Sequence, residues 1–145
     1  MNNKLILVVE DNPDHLELTV LTLEQQGVNA EIAVARDGAQ ALDFLFGRGM
    51  HVGRDTKRQP TFVLLDMKLP KLSGLDVLRS VRANPLTAIV PVVMLTSSSE
   101  QSDIVACYSA GANSFIRKPV DFGAFTKKLD SLQTYWLGVN EAIAA

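Results

Sequence analysis

The chain has 145 residues and a formal net charge of −2, with 14 Lys and Arg residues against 16 Asp and Glu residues. This length favours a single domain, residues 1–145, and the absence of a basic excess argues against nucleic acid as a partner. Cys107 is the only cysteine, which excludes an internal disulfide. No apolar run reaches the roughly 20 residues that cross a bilayer, and the first residues lack a signal-peptide layout. We therefore expect a cytoplasmic protein that does not associate with membranes.

Strand-like and helix-like patterns alternate along the chain. Short apolar runs predict five strands, and the second has a mixed polarity that suits a sheet edge; they lie at residues 4–9, 30–35, 61–65, 90–95 and 113–117. Apolar residues at helical spacing predict helices at residues 14–26, ended by Gly27, from the cap Asp37 to Phe46, and at 73–83, 100–109 and about 122–137. The alternation predicts an α/β fold, a doubly wound five-stranded parallel sheet with helices on both faces. The core would span about residues 4–137, with a short tail at 138–145.

The segment of residues 47–60 is longer than the connections of about 2–6 residues that are usual in such folds. It is rich in basic side chains, namely Arg48, His51, Arg54, Lys57 and Arg58. A solvated surface loop is the simpler interpretation, because loops of this kind are common on protein surfaces. A basic contact for a specific partner is the alternative.

Chemically active side chains follow four of the five predicted strands. Asp66 comes directly after the third strand, the pair Glu10 and Asp11 after the first, Thr96 after the fourth and Lys118 after the fifth. The carboxyl ends of parallel strands meet at one edge of an open α/β sheet, where such folds bind ligands. Three carboxylates that converge there repel one another, and a bound cation is one solution. Oxygen ligands without a His/Cys cluster favour Mg²⁺ or Mn²⁺ over zinc.

A phosphoryl group on Asp66 would complete such a site, because aspartyl carboxylates are nucleophiles toward phosphoryl donors. Thr96 could hydrogen-bond one phosphoryl oxygen and Lys118 could neutralise another. Each residue alone has a plainer explanation: a turn or helix cap for the acids and Thr96, and an ordinary surface position for Lys118. Their joint occurrence in order, each at a predicted strand end, favours the phosphoryl site.

Together these residues resemble the receiver domain of response regulators, over residues 4–137. The residues that carry the resemblance are Glu10, Asp11, Asp66, Lys68, Leu69, Pro70, Gly74, Thr96, Lys118 and Pro119, with support from Phe115 and residues 110–112. The resemblance implies a flavodoxin-like fold and a single-domain regulator of a two-component system. A sensor histidine kinase would donate a phosphoryl group to Asp66 with Mg²⁺ as cofactor. The domain would then switch conformation and signal through protein contacts or a phosphorelay, and would catalyse only its own phosphoryl transfer and slow self-dephosphorylation.

The resemblance also implies a role for each residue of the site. Asp66 would be the phosphoacceptor and a metal ligand. Asp11 would bind Mg²⁺ directly, Glu10 would act through water, and the backbone carbonyl of Lys68 would complete the ligands from the protein. Lys118 would contact a phosphoryl oxygen.

The conformational switch would involve Thr96 and Phe115. The Thr96 hydroxyl would move toward the phosphoryl group, and the Phe115 ring would turn inward in response. Phe115 has no hydroxyl, so only packing can operate and not a tyrosine hydrogen bond. The peptide bond between Lys118 and Pro119 would be cis.

The last predicted helix carries apolar residues on more than one face. One face, most simply core, contains Phe122, Phe125, Leu129, Leu132 and Trp136. The excess apolar surface indicates a homodimer, with an interface that includes Phe115, Tyr135, Trp136 and Leu137. This ending and the 47–60 segment are similar to regulators paired with bacterial phytochromes. That similarity implies a bacteriophytochrome as the sensor kinase, although other kinases stay open.

Three alternatives belong to other functional classes. A phosphatase similar to the haloacid-dehalogenase family would need a second Asp two residues after Asp66, where this chain has Lys68. A flavin- or nucleotide-binding domain would need an anion cradle after the first strand, and the acidic residues 10–14 repel phosphate. A scaffold that works without phosphorylation would not need the full set of site residues.

Overall fold

The computed structural model describes residues 4–25 and 30–143, in which strands and helices alternate. The strands are Lys4–Val9 (β1), Ala30–Ala35 (β2), Phe62–Asp66 (β3), Val92–Thr96 (β4) and Ser114–Arg117 (β5). The helices are Pro13–Gln25 (α1), Gly38–Phe46 (α2), Gly74–Ala83 (α3), Gln101–Ser109 (α4) and Phe122–Thr134 (α5). A 3-10 turn at Gly49–His51 and a π-helical turn at Tyr135–Val139 complete the regular structure. Within these described ranges, no helix has both the length and the hydropathy to cross a bilayer.

The five strands form one parallel sheet in the order β2-β1-β3-β4-β5. The central strands β1, β3 and β4 are buried almost throughout, because helices cover both faces of a parallel sheet. β2 and β5 form the edges and are only partly buried. This topology confirms the predicted fold class and the predicted edge position of the second strand.

Alternate residues of β1 belong to two separate hydrophobic clusters, because successive side chains of a strand point to opposite faces of the sheet. Leu5, Leu7 and Val9 pack with buried residues of α2, α3 and α4. Ile6 and Val8 pack on the other face with α1 and α5. The two clusters fix the register of the sheet, because a shift by one residue would exchange the two faces.

The predicted bounds of β1 and β2 agree with the structure, and the other bounds within the described residues differ by at most two residues, except that α5 ends at Thr134 rather than at about residue 137. Pro91 has no N–H and the Val90 N–H bonds the Thr87 carbonyl, so the ladder of β4 begins at Val92 rather than at residue 90. Asp66 pairs with Leu95 and is itself the last residue of β3. The predicted end of the first helix, at residue 26 with Gly27 as its stop, lies outside the described residues.

Helix α5 packs one face against the sheet and continues into the π-helical turn. Trp136 is 8% exposed and stacks on Phe62, with ring centroids 6.4 Å apart. Phe125, Leu129 and the other core positions of this face are buried as predicted. The prediction is wrong for Phe122, which is 64% exposed, because it is the first residue of the helix and lies a turn before the residues that reach the core.

Candidate functional site

The strand order brings the acidic residues of β1 and β3 together. β1 and β3 are neighbours with Val9 opposite Leu65, so Glu10 and Asp66 follow side by side at the carboxyl edge. Carboxylate oxygens of Glu10, Asp11 and Asp66 lie within 4.8 Å of one another. Glu10 and Asp66 are buried and Asp11 is exposed. The convergence that strand-end positions predicted is therefore present.

Lys118 closes this cluster from the far strand of the sheet. Its N–H donates to the Thr96 carbonyl at 2.7 Å, which fixes the backbone after β5. Its Nζ donates to Asp66 Oδ2 at 2.8 Å and to Glu10 Oε1. Within the described ranges no peptide bond is cis, so the prediction of a cis bond before Pro119 is wrong. The trans isomer is the intrinsically favoured one, and the Lys118 amine reaches both carboxylates without the cis form.

Two buried carboxyl groups, those of Glu10 and Asp66, share the ammonium group of Lys118, and this arrangement shifts pKa values in the site. Burial and the adjacent Asp66 carboxyl raise the pKa of Glu10 to about 7, although Lys118 opposes the shift. Burial alone would lower the pKa of Lys118, but hydrogen bonds to Asp66 and Glu10 and their charges outweigh it and raise that pKa. Lys118 therefore stays charged, and the remaining carboxylate charge is what a cation would neutralise.

The loop after β3 is shaped closely around Asp66. The Lys68 N–H donates to Asp66 Oδ1 at 2.9 Å. The Gly74 N–H donates to the Met67 carbonyl, also at 2.9 Å. A Cβ at Gly74 would lie 2.1 Å from the Asp66 carbonyl oxygen and 2.8 Å from Met67 Cα. Only glycine fits there, which explains why this residue belongs to the site motif.

Thr96 is buried at the end of β4 and is engaged by the following loop. Its Oγ1 accepts a hydrogen bond from the Ser98 N–H at 3.1 Å. Ser98 Oγ in turn donates to Asp103 Oδ2 on α4 at 2.5 Å. Phe115 on β5 is half-buried against the core that includes α4. A movement of the Thr96 hydroxyl would therefore break a bond that orders the start of α4.

His15 also belongs to the site and was not predicted from the sequence. It lies on the first turn of α1, and its Nδ1 is 3.3 Å from Lys118 Nζ and 3.9 Å from Glu10 Oε1. The available signal was positional: α1 begins two residues after Asp11, so its first turn stands beside the same sheet edge. The site is a cavity of about 270 Å³ lined by Glu10, Asp11, Asn12, His15, Asp66, Lys68, Thr96, Ser97 and Lys118.

The 47–60 segment is ordered by its own polar contacts. Arg54 Nε donates to the Phe44 carbonyl at 2.6 Å, and its guanidinium lies 4.1 Å from the Phe44 ring centroid. Arg54 also donates to the Arg58 carbonyl, and Gln59 donates to the Leu45 carbonyl. The segment lies on the surface, as the loop interpretation predicted. However, these contacts anchor it to α2, so it is not simply solvated.

The residues predicted for a dimer interface differ in exposure. Tyr135 is 47% exposed and packs edge-on to Trp136. Trp136 is buried in the domain's own core and Leu137 packs partly against it, so neither is the exposed apolar group expected for an interface. A groove of about 580 Å³ lies between β5 and α5 and is lined by Phe115, Ile116, Arg117, Lys127, Lys128, Leu132 and Tyr135, among others.

Comparison with known protein families identifies the family of this chain. The sequence profile of the response regulator receiver domain matches residues 6–130. The chain belongs to this family. It is therefore a receiver domain of two-component systems, whose proteins work with sensor histidine kinases and are not enzymes in the ordinary sense.

Two curated relatives extend over almost the whole chain. The probable methanogenesis regulatory protein FilR2 of Methanothrix harundinacea is 36% identical over 138 residues, which cover 95% of this chain and 86% of that protein. The response regulator Rcp1 of Synechocystis sp. is 31% identical over 134 residues, covering 92% and 89%.

Solved structures of phytochrome response regulators are similar in fold. The phosphorylated cyanobacterial phytochrome response regulator RcpA has a TM-score of 0.92 at 28% identity, covering 99% of this chain and 100% of that one. The Mn²⁺-bound form of Rcp1 has a TM-score of 0.90 at 30% identity, covering 97% and 99%. The bacteriophytochrome response regulator AtBRR has a TM-score of 0.79 at 43% identity, covering 99% of each chain. The relatives of this receiver domain thus include regulators associated with phytochromes.

The residues present suit a divalent cation. Three carboxylates supply hard oxygen donors within reach of one another, and the described residues add no cysteine or histidine to that group. The raised pKa of Glu10 shows that its ionised form lacks full compensation, which a cation would provide. Mn²⁺-bound Rcp1 is a metal-bound neighbour of the same fold.

Proposed function

We propose that Asp66 accepts a phosphoryl group from the phosphohistidine of a sensor kinase. The observation that carries this is a buried strand-end carboxylate held 2.8 Å from the Lys118 ammonium and beside two further acids. An Asp66 oxygen attacks phosphorus, the bond to the donor histidine nitrogen breaks, and that nitrogen keeps the electron pair. Lys118 then neutralises a phosphoryl oxygen, so the protein contributes positioning and charge compensation. Water later hydrolyses the acyl phosphate in a slow self-dephosphorylation.

Mg²⁺ is the proposed cofactor, held by Asp11 and Asp66 directly, by Glu10 through water and by the Lys68 carbonyl. When bound, it supplies positive charge to the transferring phosphoryl oxygens. Asp11 is the exposed acid of the three and can change partners at little cost, whereas Glu10 is already bonded to Lys118. Calorimetric Mg²⁺ titration should therefore show a larger loss of affinity for Asp11→Ala than for Glu10→Ala. The reverse order would contradict this assignment of ligands.

Phosphorylation itself is tested with acetyl phosphate and intact-mass detection. The wild type should gain one phosphoryl group when Mg²⁺ is present and none when the cation is chelated. Asp66→Asn should gain none, because the amide has lost the nucleophilic oxygen while keeping the side-chain volume. Unchanged labelling of Asp66→Asn would remove the proposal.

The proposed switch couples Thr96 to Phe115. When the Thr96 hydroxyl leaves the Ser98 N–H for a phosphoryl oxygen, the Phe115 ring can fill the space that it vacates. Thr96→Ala should still be phosphorylated but should bind its partner equally in both states, whereas Thr96→Ser keeps the hydroxyl and should respond to phosphate. A Thr96→Ala protein with the full phosphate dependence of the wild type would show that this hydroxyl is not the switch.

The proposed phosphodonor is a bacteriophytochrome. The support comes from relatives, since Rcp1, RcpA and AtBRR combine near-complete coverage with this fold, and the names of RcpA and AtBRR associate them with phytochromes. Among sensor kinases of the same organism, the phytochrome kinase should transfer its phosphoryl group fastest. Faster transfer from a kinase without a phytochrome module would contradict the pairing. The phosphorylated protein would act as a single cytoplasmic domain. It would pass the signal on through protein contacts or a phosphorelay.

A homodimer through the β5–α5 groove is the proposed assembly. β5 is an edge strand of the sheet, and Tyr135 exposes an aromatic ring at the groove. Because Trp136 is part of the core and Tyr135 is exposed, the test is Tyr135→Ala. Light scattering over a concentration series should show a dimer that Tyr135→Ala weakens and that the control Phe122→Ala, at the other end of α5, does not. A wild type that is monomeric at high micromolar concentration, with and without beryllofluoride, would exclude the dimer.

A further inference from the structure

The Lys118 ammonium has three acceptors for its three hydrogens. They are Glu10 Oε1, Asp66 Oδ2 at 2.8 Å and His15 Nδ1 at 3.3 Å. The Lys118 side chain is 9% exposed, so water does little to replace a lost acceptor. A buried ammonium with one hydrogen unpaired would carry a free-energy cost. The first two acceptors belong to the proposed phosphorylation chemistry, and the third does not.

The position of His15 is fixed from the backbone side. Asn12 Oδ1 accepts hydrogen bonds from the Asp14 N–H at 3.0 Å and the His15 N–H at 3.1 Å, which caps α1. Thr19 Oγ1 donates to the His15 carbonyl at 2.7 Å. These bonds fix the backbone of the first turn of α1, from which the His15 side chain lines the cavity.

The roles in the contact between His15 and Lys118 follow from elementary chemistry. An ammonium group only donates, so a hydrogen bond between the two groups requires His15 Nδ1 as the acceptor, which corresponds to the tautomer with the proton on Nε2. The His15 side chain is 42% exposed, which leaves core packing as a poor explanation for this residue. Its shorter side-chain contact in the site is the one to Lys118 Nζ, at 3.3 Å, compared with 3.9 Å to Glu10 Oε1.

We propose that His15 is a positioning residue that holds the Lys118 ammonium for phosphoryl transfer. The inference rests on the proposed function of Asp66 and Lys118. When the phosphoryl group forms, Lys118 must turn one hydrogen from Asp66 toward a phosphoryl oxygen. Glu10 and His15 keep the other two hydrogens, so Nζ stays in place during that exchange. Without the His15 acceptor the ammonium has only carboxylates to hold it, and its alignment with the phosphoryl group is looser.

The test compares His15→Leu with His15→Asn. Leucine removes the acceptor at similar size, and the Asn Oδ1 can stand where Nδ1 was. At saturating Mg²⁺ the rate constant for phosphorylation by acetyl phosphate should fall about two- to tenfold in His15→Leu, the effect of one hydrogen bond. It should recover in His15→Asn, with the Mg²⁺ dissociation constant of both variants near the wild-type value. In a Lys118→Met background, His15→Leu should cause no further loss.

A second readout observes Lys118 directly and does not require phosphorylation. In ¹H–¹⁵N spectra of lysine side chains, the resonance of the buried ammonium is identified by its loss in Lys118→Met. It should persist in the wild type and His15→Asn, and should broaden or shift toward the exposed lysines in His15→Leu. Should His15→Leu fail to fold by circular dichroism, His15→Met provides the same loss of acceptor with a flexible side chain.

The outcomes separate the two proposals. An unchanged Lys118 resonance together with an unchanged rate in His15→Leu would overturn the role of His15. Equal slowing of the Leu and Asn variants, with the resonance intact, would overturn it as well, because it would indicate a merely structural effect. A wild type that accepts no phosphoryl group on Asp66 would instead refute the proposed function, and the spectra would still test whether His15 holds Lys118.

Discussion

The carboxyl edge of the sheet and the β5–α5 face both bury side chains, but by different means. At the edge, the carboxyl groups of Glu10 and Asp66 share the Lys118 ammonium across strands β1, β3 and β5. At the β5–α5 face, Trp136 is buried by packing on Phe62 and on aliphatic neighbours. A buried charge needs a partner atom at hydrogen-bond distance, whereas a buried aromatic ring needs contact area of any suitable shape.

This difference predicts how each region responds to change. Substitutions at the edge should alter pH dependence and reactivity, because they disturb a balance of charges. Substitutions at the β5–α5 face should alter stability or assembly and leave the chemistry intact. Each region can thus serve as the control for the other.

Trp136→Ala should have the largest effect on stability. Removal of this buried ring from its place against Phe62 should cost about 3–5 kcal/mol of unfolding free energy, measured by urea denaturation. Tyr135→Ala, the exposed neighbour, should cost less than about 1 kcal/mol. Equal costs for the two variants would show that Trp136 does not hold the core together.

The pH dependence of the metal-free protein should come next. Because the pKa of Glu10 rises from 4.5 to about 7 on folding, its contribution to stability is complete below about pH 4.5 and is lost as the pH rises through 7. The wild type should therefore lose stability relative to Glu10→Gln over this range, by at most about 3 kcal/mol. Thermal melts of both proteins from pH 5 to 8 would test this, and saturating Mg²⁺ should reduce the difference. Parallel pH profiles for the two proteins would contradict it.

Gly74→Ala should disturb the edge through its backbone. The added Cβ would meet the Asp66 carbonyl oxygen, so we expect a loss of about 1–3 kcal/mol and slower phosphorylation. Gly123→Ala in α5 is the matched control, since its Cβ would meet only the Asp121 carboxylate, at 3.5 and 3.9 Å, and should be tolerated. Chemical denaturation and the kinetics of phosphorylation by acetyl phosphate would compare the two variants. If Gly74→Ala lost neither stability nor phosphorylation rate, the loop after β3 would have room for the added Cβ.

The fold and the acidic site could be predicted because both depend on short, regular patterns. Apolar runs mark the strands, and the residue after each run must lie at the carboxyl edge, which places Glu10, Asp66, Thr96 and Lys118 together. The contact of His15 with Lys118 could not be predicted in this way. It joins residues 103 positions apart and depends on the direction of the first turn of α1.

The last helix shows a second limit of the sequence pattern. Helical spacing placed Phe122 and Trp136 on one face, but only Trp136 reaches the core. Periodicity gives the direction of a side chain and not how far the core extends along the helix. The sequence pattern likewise did not determine the isomer of the bond between Lys118 and Pro119. That bond is trans, and the contacts of Lys118 with Glu10 and Asp66 form without a cis bond.

The most direct test of the central claim is the location of the phosphoryl group. After phosphorylation by acetyl phosphate with Mg²⁺, the acyl phosphate is trapped by borohydride reduction, and the digested protein is sequenced by mass spectrometry. We expect a reduced residue at position 66 alone, with Asp66→Asn unlabelled. A label at Glu10 or Asp11, or on a side chain away from the carboxyl edge, would contradict it.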